Sequence, residues 1–195
     1  KILCIQGVYM LMSLAVSLYY HESVTPFLVP ILGMIIIALP FFCMKVRNTI
    51  FSARDGLVCV ALIWITMSFF GAIPFFINGG FGTFIDCLLE SVSGFTTTGA
   101  SVLREIESLP KGILFWRSST HWLGGMGILV LALALFPSIG ERAQNLMAAE
   151  SPGPTCEKLT SRISTSSKIL YMIYAGITVL QILCLYLADM PLYDS

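Results

Sequence analysis

What this 195-residue sequence has least of is charge: Asp, Glu, Lys and Arg together make up 11% of it, where soluble domains carry roughly 25%. The two signs cancel, 11 Lys and Arg against 11 Asp and Glu. There is therefore no basic field to draw nucleic acid and no acidic excess to attract a basic partner. No CxxC pair and no metal-ligand spacing links Cys4, Cys43, Cys59, Cys87, Cys156 and Cys184. Five of the six lie in apolar runs, where they read as small buried hydrophobes. No phosphate-binding glycine loop and no nucleophile and base at useful spacing occur, so an enzyme fits poorly. What the chain has in abundance is apolar side chain, 56% of its residues, with a mean hydropathy of +0.86.

The uncharged runs set the class. Ile2 to Tyr20 is 19 residues, Ser23 to Met44 is 22, Trp122 to Gly140 is 19 and Ile169 to Ala188 is 20. Each exceeds the roughly 18 residues that mark a transmembrane candidate. Gly56 to Ile85 is 30 residues, too long for one crossing of about 30 Å of hydrocarbon, so it holds a helix and a turn, with Asn78-Gly79-Gly80 as the turn. Five spans are expected, at 2–20, 26–44, 56–78, 112–136 and 169–188. The first is longer than a signal-peptide core and lacks a small-residue cleavage pattern. A start at Lys1 and a stop just after a helix read as a segment of a longer protein. With Lys1 inside, eight basic residues (Lys1, Lys45, Arg47, Arg54, Arg142, Lys158, Arg162, Lys168) lie on the cytoplasmic side against Arg104 and Lys111 outside. That asymmetry orients the chain, N-terminus in.

The stretch between the third and fourth spans, GGFGTFIDCLLESVSGFTTTGASVLREIESLPKG, is too apolar for a loop in water and too polar for a full span. It reads as a re-entrant element. Thr83 with Asp86 three positions on is a weak capping box that opens a short helix. Thr83 to Ser93 is 11 residues, about 16 Å, half the depth of the hydrocarbon. Gly94 is expected to end it, and Phe95 to Ser101 would then climb back in extended form. Irregular backbone at that depth survives only where protein buries it or it lines water, and a dehydrated cation can take the place of water on its carbonyls. Thr96-Thr97-Thr98-Gly99 follows the logic of a potassium filter, with Gly99 giving a backbone conformation that a Cβ would hinder. The carbonyl end of the short helix adds partial negative charge on the side of the same ion.

ESVSGFTTTGAS, followed by FWRSSTHWLGGMGILVLALALFP and then AESPGPT with a further helix, resembles the TrkH branch of the Trk/Ktr/HKT potassium transporters. The resemblance implies an all-α integral membrane protein of five transmembrane helices plus one re-entrant pore helix and filter loop. It implies two extra helices in 1–50, a first helix, pore loop and helix repeat in 51–137, a cytoplasmic connection in 138–168, and the first helix of a second repeat in 169–195. Its potassium ligands fall on the carbonyls of Thr96, Thr97, Thr98, Gly99 and Ala100, Thr97 and Thr98 foremost. Arg117 would brace the pore loop through Glu90. The implied function is passive or ion-coupled potassium uptake across a bacterial inner membrane. The implied partners are potassium, the lipid bilayer, a cytoplasmic nucleotide-binding subunit like TrkA and a second copy in a homodimer. One filter strand of four is present, so coordination requires further repeats.

Blander readings stand beside these. TTTGA could be a polar turn, and the chain a non-conducting helical scaffold. Asp86 and Glu90, four apart, could draw cations or relay protons, or they could cap the short helix and pair with a polar neighbour behind the filter. Gly124, Gly125 and Gly127 could allow close helix packing or a bend, packing being the better fit. Ser93 with His121 is the one conceivable pair for an intramembrane hydrolase. Prolines Pro152 and Pro154 break the connection after the amphipathic Glu141 to Glu150 stretch.

Overall fold

The computed structural model describes residues 2–43, 53–103, 105–135, 159–191 and 193. Those residues form helices α1 (Ile2–Tyr19), α2 (Thr25–Cys43), α3 (Ala53–Asn78), α4 (Phe84–Phe95), α5 (Lys111–Leu135) and α6 (Leu159–Leu187), with no strand among them. Where the two can be compared, helix ends fall close to the expected spans. The exception is α6, which begins at Leu159, ten positions before Ile169. A helix is limited by backbone pairing, not by hydropathy, so Ser, Thr and Lys prolong it beyond its apolar stretch. The basic residues Lys45, Arg47, Arg104, Arg142 and Lys158, and the Glu141 to Pro154 connection, lie outside the described residues.

The chain divides into two compact units, 1–125 and 126–195. In the first, α3 packs against α1, α2 and α4. Its centre holds Met10, Phe27, Phe75, Phe95, Ile113 and Trp116, all fully or almost fully buried. Close approach rests on small residues. Gly71 of α3 lies where a Cβ would sit 2.5 Å from Ser91 Oγ and 2.6 Å from Phe95 of α4. Ser91 Oγ donates to the Ser68 carbonyl at 2.8 Å, and Trp116 Nε1 of α5 donates to the Gly71 carbonyl at 3.1 Å. Interfaces of this kind, close backbones joined by side-chain hydrogen bonds, suit helices that gain little from excluding water. The second unit contains the end of α5 and α6, whose described side chains are almost all exposed or half-buried.

On α1 and α4 polar side chains are buried beside the apolar core while many apolar ones face outward. On α1, Gln6, Ser13 and Ser17 are buried, while Ile5, Val8, Leu11 and Met12 are exposed. On α4, Glu90, Ser91 and Ser93 are buried, while Ile85 is 68% and Leu89 54% exposed. This overturns the expectation for the cysteines: Cys87 is buried, but Cys4, Cys59 and Cys184 are exposed. Apolar residues occupy the outward faces of these helices too, so a place in an apolar run does not imply a place in the core. Among the described residues, two helical stretches, Val58–Asn78 and Lys168–Leu187, are long and apolar enough to cross a membrane; those at Leu3–Tyr19 and Thr25–Ile37 are shorter.

Candidate functional site

The site is built on α4 and the loop that follows it. After α3 ends at Asn78, Gly79 takes a left-handed φ of +75° and turns the chain. Thr83 then caps α4 with a complete capping box. Asp86 N–H donates to Thr83 Oγ1 at 3.3 Å, and Thr83 N–H donates to Asp86 Oδ2 at 2.8 Å. Both residues are thus occupied in starting the helix, which is the capping role foreseen for Asp86. α4 has 12 residues, about 18 Å in length.

Its far end departs from expectation. Gly94 does not stop the helix, which runs through Phe95 with Thr96 as cap, two residues further than the sequence suggests. Gly94 is needed for space instead: a Cβ there would collide with Thr120 Oγ1 of α5. Gly124 of α5 meets the Phe95 carbonyl in the same way, whereas Gly125 is merely half-buried. The two glycines bring the end of α4 and the middle of α5 into backbone contact, the packing role and not a bend. The left-handed residue that closes α4 is Thr97, at φ +56°, a conformation that costs a non-glycine residue about 1–2 kcal/mol.

From Thr96 to Leu103 the chain is irregular. Its N–H groups turn inward, Thr96 to the Val92 carbonyl at 2.8 Å, Thr97 to Gly94 at 3.0 Å and Thr98 to Ser93 at 2.9 Å. Two carbonyls are also engaged. Thr97 Oγ1 donates to the Thr96 carbonyl at 2.7 Å, and Ser93 Oγ donates to Ala100 at 2.6 Å. Among the described residues the carbonyls of Thr97, Thr98 and Gly99 accept no hydrogen bond, and residues 96–100 are exposed. Gly99 has φ +75° with open space where its Cβ would be, so conformation and not crowding requires glycine there.

Behind the loop lies a charge cluster. Glu90 is 1% exposed and accepts from Arg117 Nε at 2.6 Å. It also accepts from Ser101 Oγ at 3.0 Å and from the Val102 N–H at 3.2 Å. Arg117 and Glu90, paired in the sequence reading only by resemblance, are therefore in direct contact, and Glu90 ties the returning strand to α4. Ser93 and His121 share no hydrogen bond among the described residues. The serine hydroxyl is spent on Ala100, and His121 Nδ1 lies 3.0 Å from the Arg117 carbonyl one turn back. Against a carbonyl, Nδ1 is the donor.

One site residue escaped sequence reasoning altogether. Glu22, in the loop after α1, accepts from the Lys111 N–H at 2.7 Å and the Gly112 N–H at 2.9 Å, at the start of α5. The available signal was negative: Pro110 carries no side-chain acceptor to cap the helix that follows it.

The TrkH family model, described as a cation transport protein, matches residues 27–192, most of the chain. The chain belongs to that family. It is 36% identical over 196 residues to the Trk system potassium uptake protein TrkG of Escherichia coli, covering 95% of this chain and 39% of the relative. It is 42% identical over 145 residues to the Trk system potassium uptake protein TrkH of Salmonella typhimurium, covering 73% of this chain and 30% of the relative. An uncharacterized cation transporter of Methanocaldococcus jannaschii is 35% identical over 198 residues, with 100% of this chain and 40% of the relative covered. The chain thus spans well under half the length of these relatives. The family is one of cation transporters and not of enzymes.

Proposed function

We propose that this TrkH-family chain supplies one strand of a potassium filter and that the complete protein takes up potassium across a bacterial inner membrane; its relatives TrkG and TrkH are named potassium uptake proteins. One observation carries the reading: three successive carbonyls, of Thr97, Thr98 and Gly99, have no donor among the described residues. They follow a helix long enough for only half a bilayer. Carbonyls so presented can replace the water around a dehydrated cation. Thr97 and Thr98 are the principal ligands, followed by Gly99; Thr96 and Ala100 keep one lone pair each after their internal hydrogen bonds.

In this reading α1, α2, α3, α5 and α6 span the membrane with the N-terminus in the cytoplasm, and α4 is the re-entrant pore helix. The outward Ile85, Leu89 and Val92 of α4 and the outward apolar faces of α1 and α2 support an apolar surrounding. α1 and α2 are the extra pair in 1–50, 51–137 is one repeat and 138–168 is the connection to the next. Three more strands like 96–100 close the ring. Glu90, Arg117, Gly124 and Gly125 support the pore loop from behind. A TrkA-like subunit and a homodimeric partner complete the assembly.

The test is rubidium or potassium uptake by the complete protein in cells without other uptake systems. Gly99→Val should abolish uptake at normal membrane abundance, because a second β-branched residue in the left-handed region, at the φ of +75° of Gly99, would pull the loop out of its present conformation. Unchanged uptake would remove the filter from this loop. Rubidium density beside Thr97 and Thr98 is the expected structural result.

A further inference from the structure

The first two helices lie outside the repeat that carries the filter loop, yet the loop after α1 reaches the helix that braces the filter. We infer that Glu22 is a positioning residue for ion selection: its carboxylate, clamped on the first N–H groups of α5, sets the height at which Arg117 holds Glu90 and the filter strand. The inference rests on the proposed filter.

The end of α1 is shaped to deliver this carboxylate. Its last turn closes with the Glu22 N–H on the Ser17 carbonyl at 2.8 Å and the His21 N–H on Leu18 at 3.2 Å. His21 stands at the left-handed position between them, φ +57°. This is the six-to-one and five-to-two pairing that usually employs glycine. It brings Glu22 back over Ser17, which is 1% exposed. α5 arrives at the same point: a Cβ on Gly112 would collide with Ser17 Oγ and lie 3.2 Å from the Ser13 carbonyl.

The start of α5 has no cap of its own. Pro110 contributes the first helical carbonyl, to the Leu114 N–H at 3.0 Å, but no side-chain oxygen, and Ser108 Oγ donates away to Glu105. The first two N–H groups of the helix are met instead from 89 and 90 positions away, one by each oxygen of Glu22. A carboxylate there is doubly favoured, by hydrogen bonding and by the positive end of the helix dipole. From Lys111 to Arg117 is six residues along a straight helix, about 9 Å. A shift of α5 along its axis therefore moves Arg117 by the same amount, and with it the 2.6 Å contact to Glu90 and the grip of Glu90 on Ser101 and Val102. The route is one of rigid helix and direct hydrogen bonds.

The experiment measures rubidium uptake, and its inhibition by sodium, in cells expressing the complete protein. The variants are Glu22→Ala, Glu22→Gln, Ser101→Ala and the Glu22→Ala, Ser101→Ala double, each normalised to membrane abundance. Glu22→Ala should lower rubidium over sodium discrimination by roughly twofold to thirtyfold, the range for a residue that biases a site through packed neighbours. Glu22→Gln, which can still accept one hydrogen bond, should fall between it and the parent. The double variant should lose less than the product of the two single losses. Unaltered discrimination in Glu22→Ala, with or without reduced abundance, would show a merely structural cap and overturn the inference, as would independent effects in the double. If Glu22→Ala does not reach the membrane, Glu22→Gln decides by the same criterion. A parent protein that takes up no rubidium overturns the filter reading and this inference with it, whereas unaltered discrimination in a competent parent overturns this inference alone.

Discussion

Removing both partners of the Glu90–Arg117 pair should do less damage than the two single removals added together. Glu90 is almost wholly enclosed and Arg117 is 19% exposed, with 2.6 Å between Nε and Oε1. Arg117→Met leaves the carboxylate with Ser101 Oγ and the Val102 N–H as donors, so the cost falls at the lower end of the range for breaking a buried pair, about 3 kcal/mol. Glu90→Gln preserves shape but forces its NH2 group toward donors, Arg117 on one side or Ser101 and Val102 on the other, and should cost about 2 kcal/mol. The Glu90→Gln, Arg117→Met double then costs less than the sum, with a coupling of about 1.5–3 kcal/mol, the worth of a hydrogen bond to a charged group. An apolar swap at both positions is not neutral here, because it leaves the Val102 N–H without its acceptor. The assay is denaturant unfolding of the purified protein for the parent, both single variants and the double. Additivity to within about 0.5 kcal/mol would refute the reasoning, since independent sites behave that way.

Two further outcomes follow from the packing around α4 and α5. Gly94→Ala should destabilise the protein by about 1–3 kcal/mol through overpacking. Adding Thr120→Ala should recover only part of that, because the Thr120 Cβ would still lie 3.0 Å from the new methyl group; unfolding midpoints check both. His121→Ala should leave rubidium uptake partly intact, since its ring is engaged with its own helix at the Arg117 carbonyl. Complete loss of uptake at normal abundance would restore a chemical role to the histidine.

Local rules account for much of what the sequence disclosed. The capping box at Thr83 and Asp86, the turn at Gly79 and the helix ends near the expected spans depend on residues within a few positions of one another. Such signals survive in a one-dimensional string because helix starts and turns are satisfied locally. That the chain leaves the helix for irregular backbone after α4 was legible for a similar reason: successive threonines followed by glycine favour a turn over a continued helix. Gly94 misled because two demands call for the same residue. A missing Cβ serves a left-handed turn and a close approach equally well, and only the position of Thr120 on another helix tells them apart.

The sequence by itself determined that the chain is a set of apolar helices interrupted by one polar, half-length element, since hydropathy and capping are properties of neighbouring residues. The tertiary structure alone decided which apolar residues face outward, which glycines are there for packing, and that Glu22 caps a helix 89 positions further on. Those outcomes depend on distances between segments remote in the chain, and a carboxylate in a loop looks the same whether it meets water or the bare N–H groups of another helix.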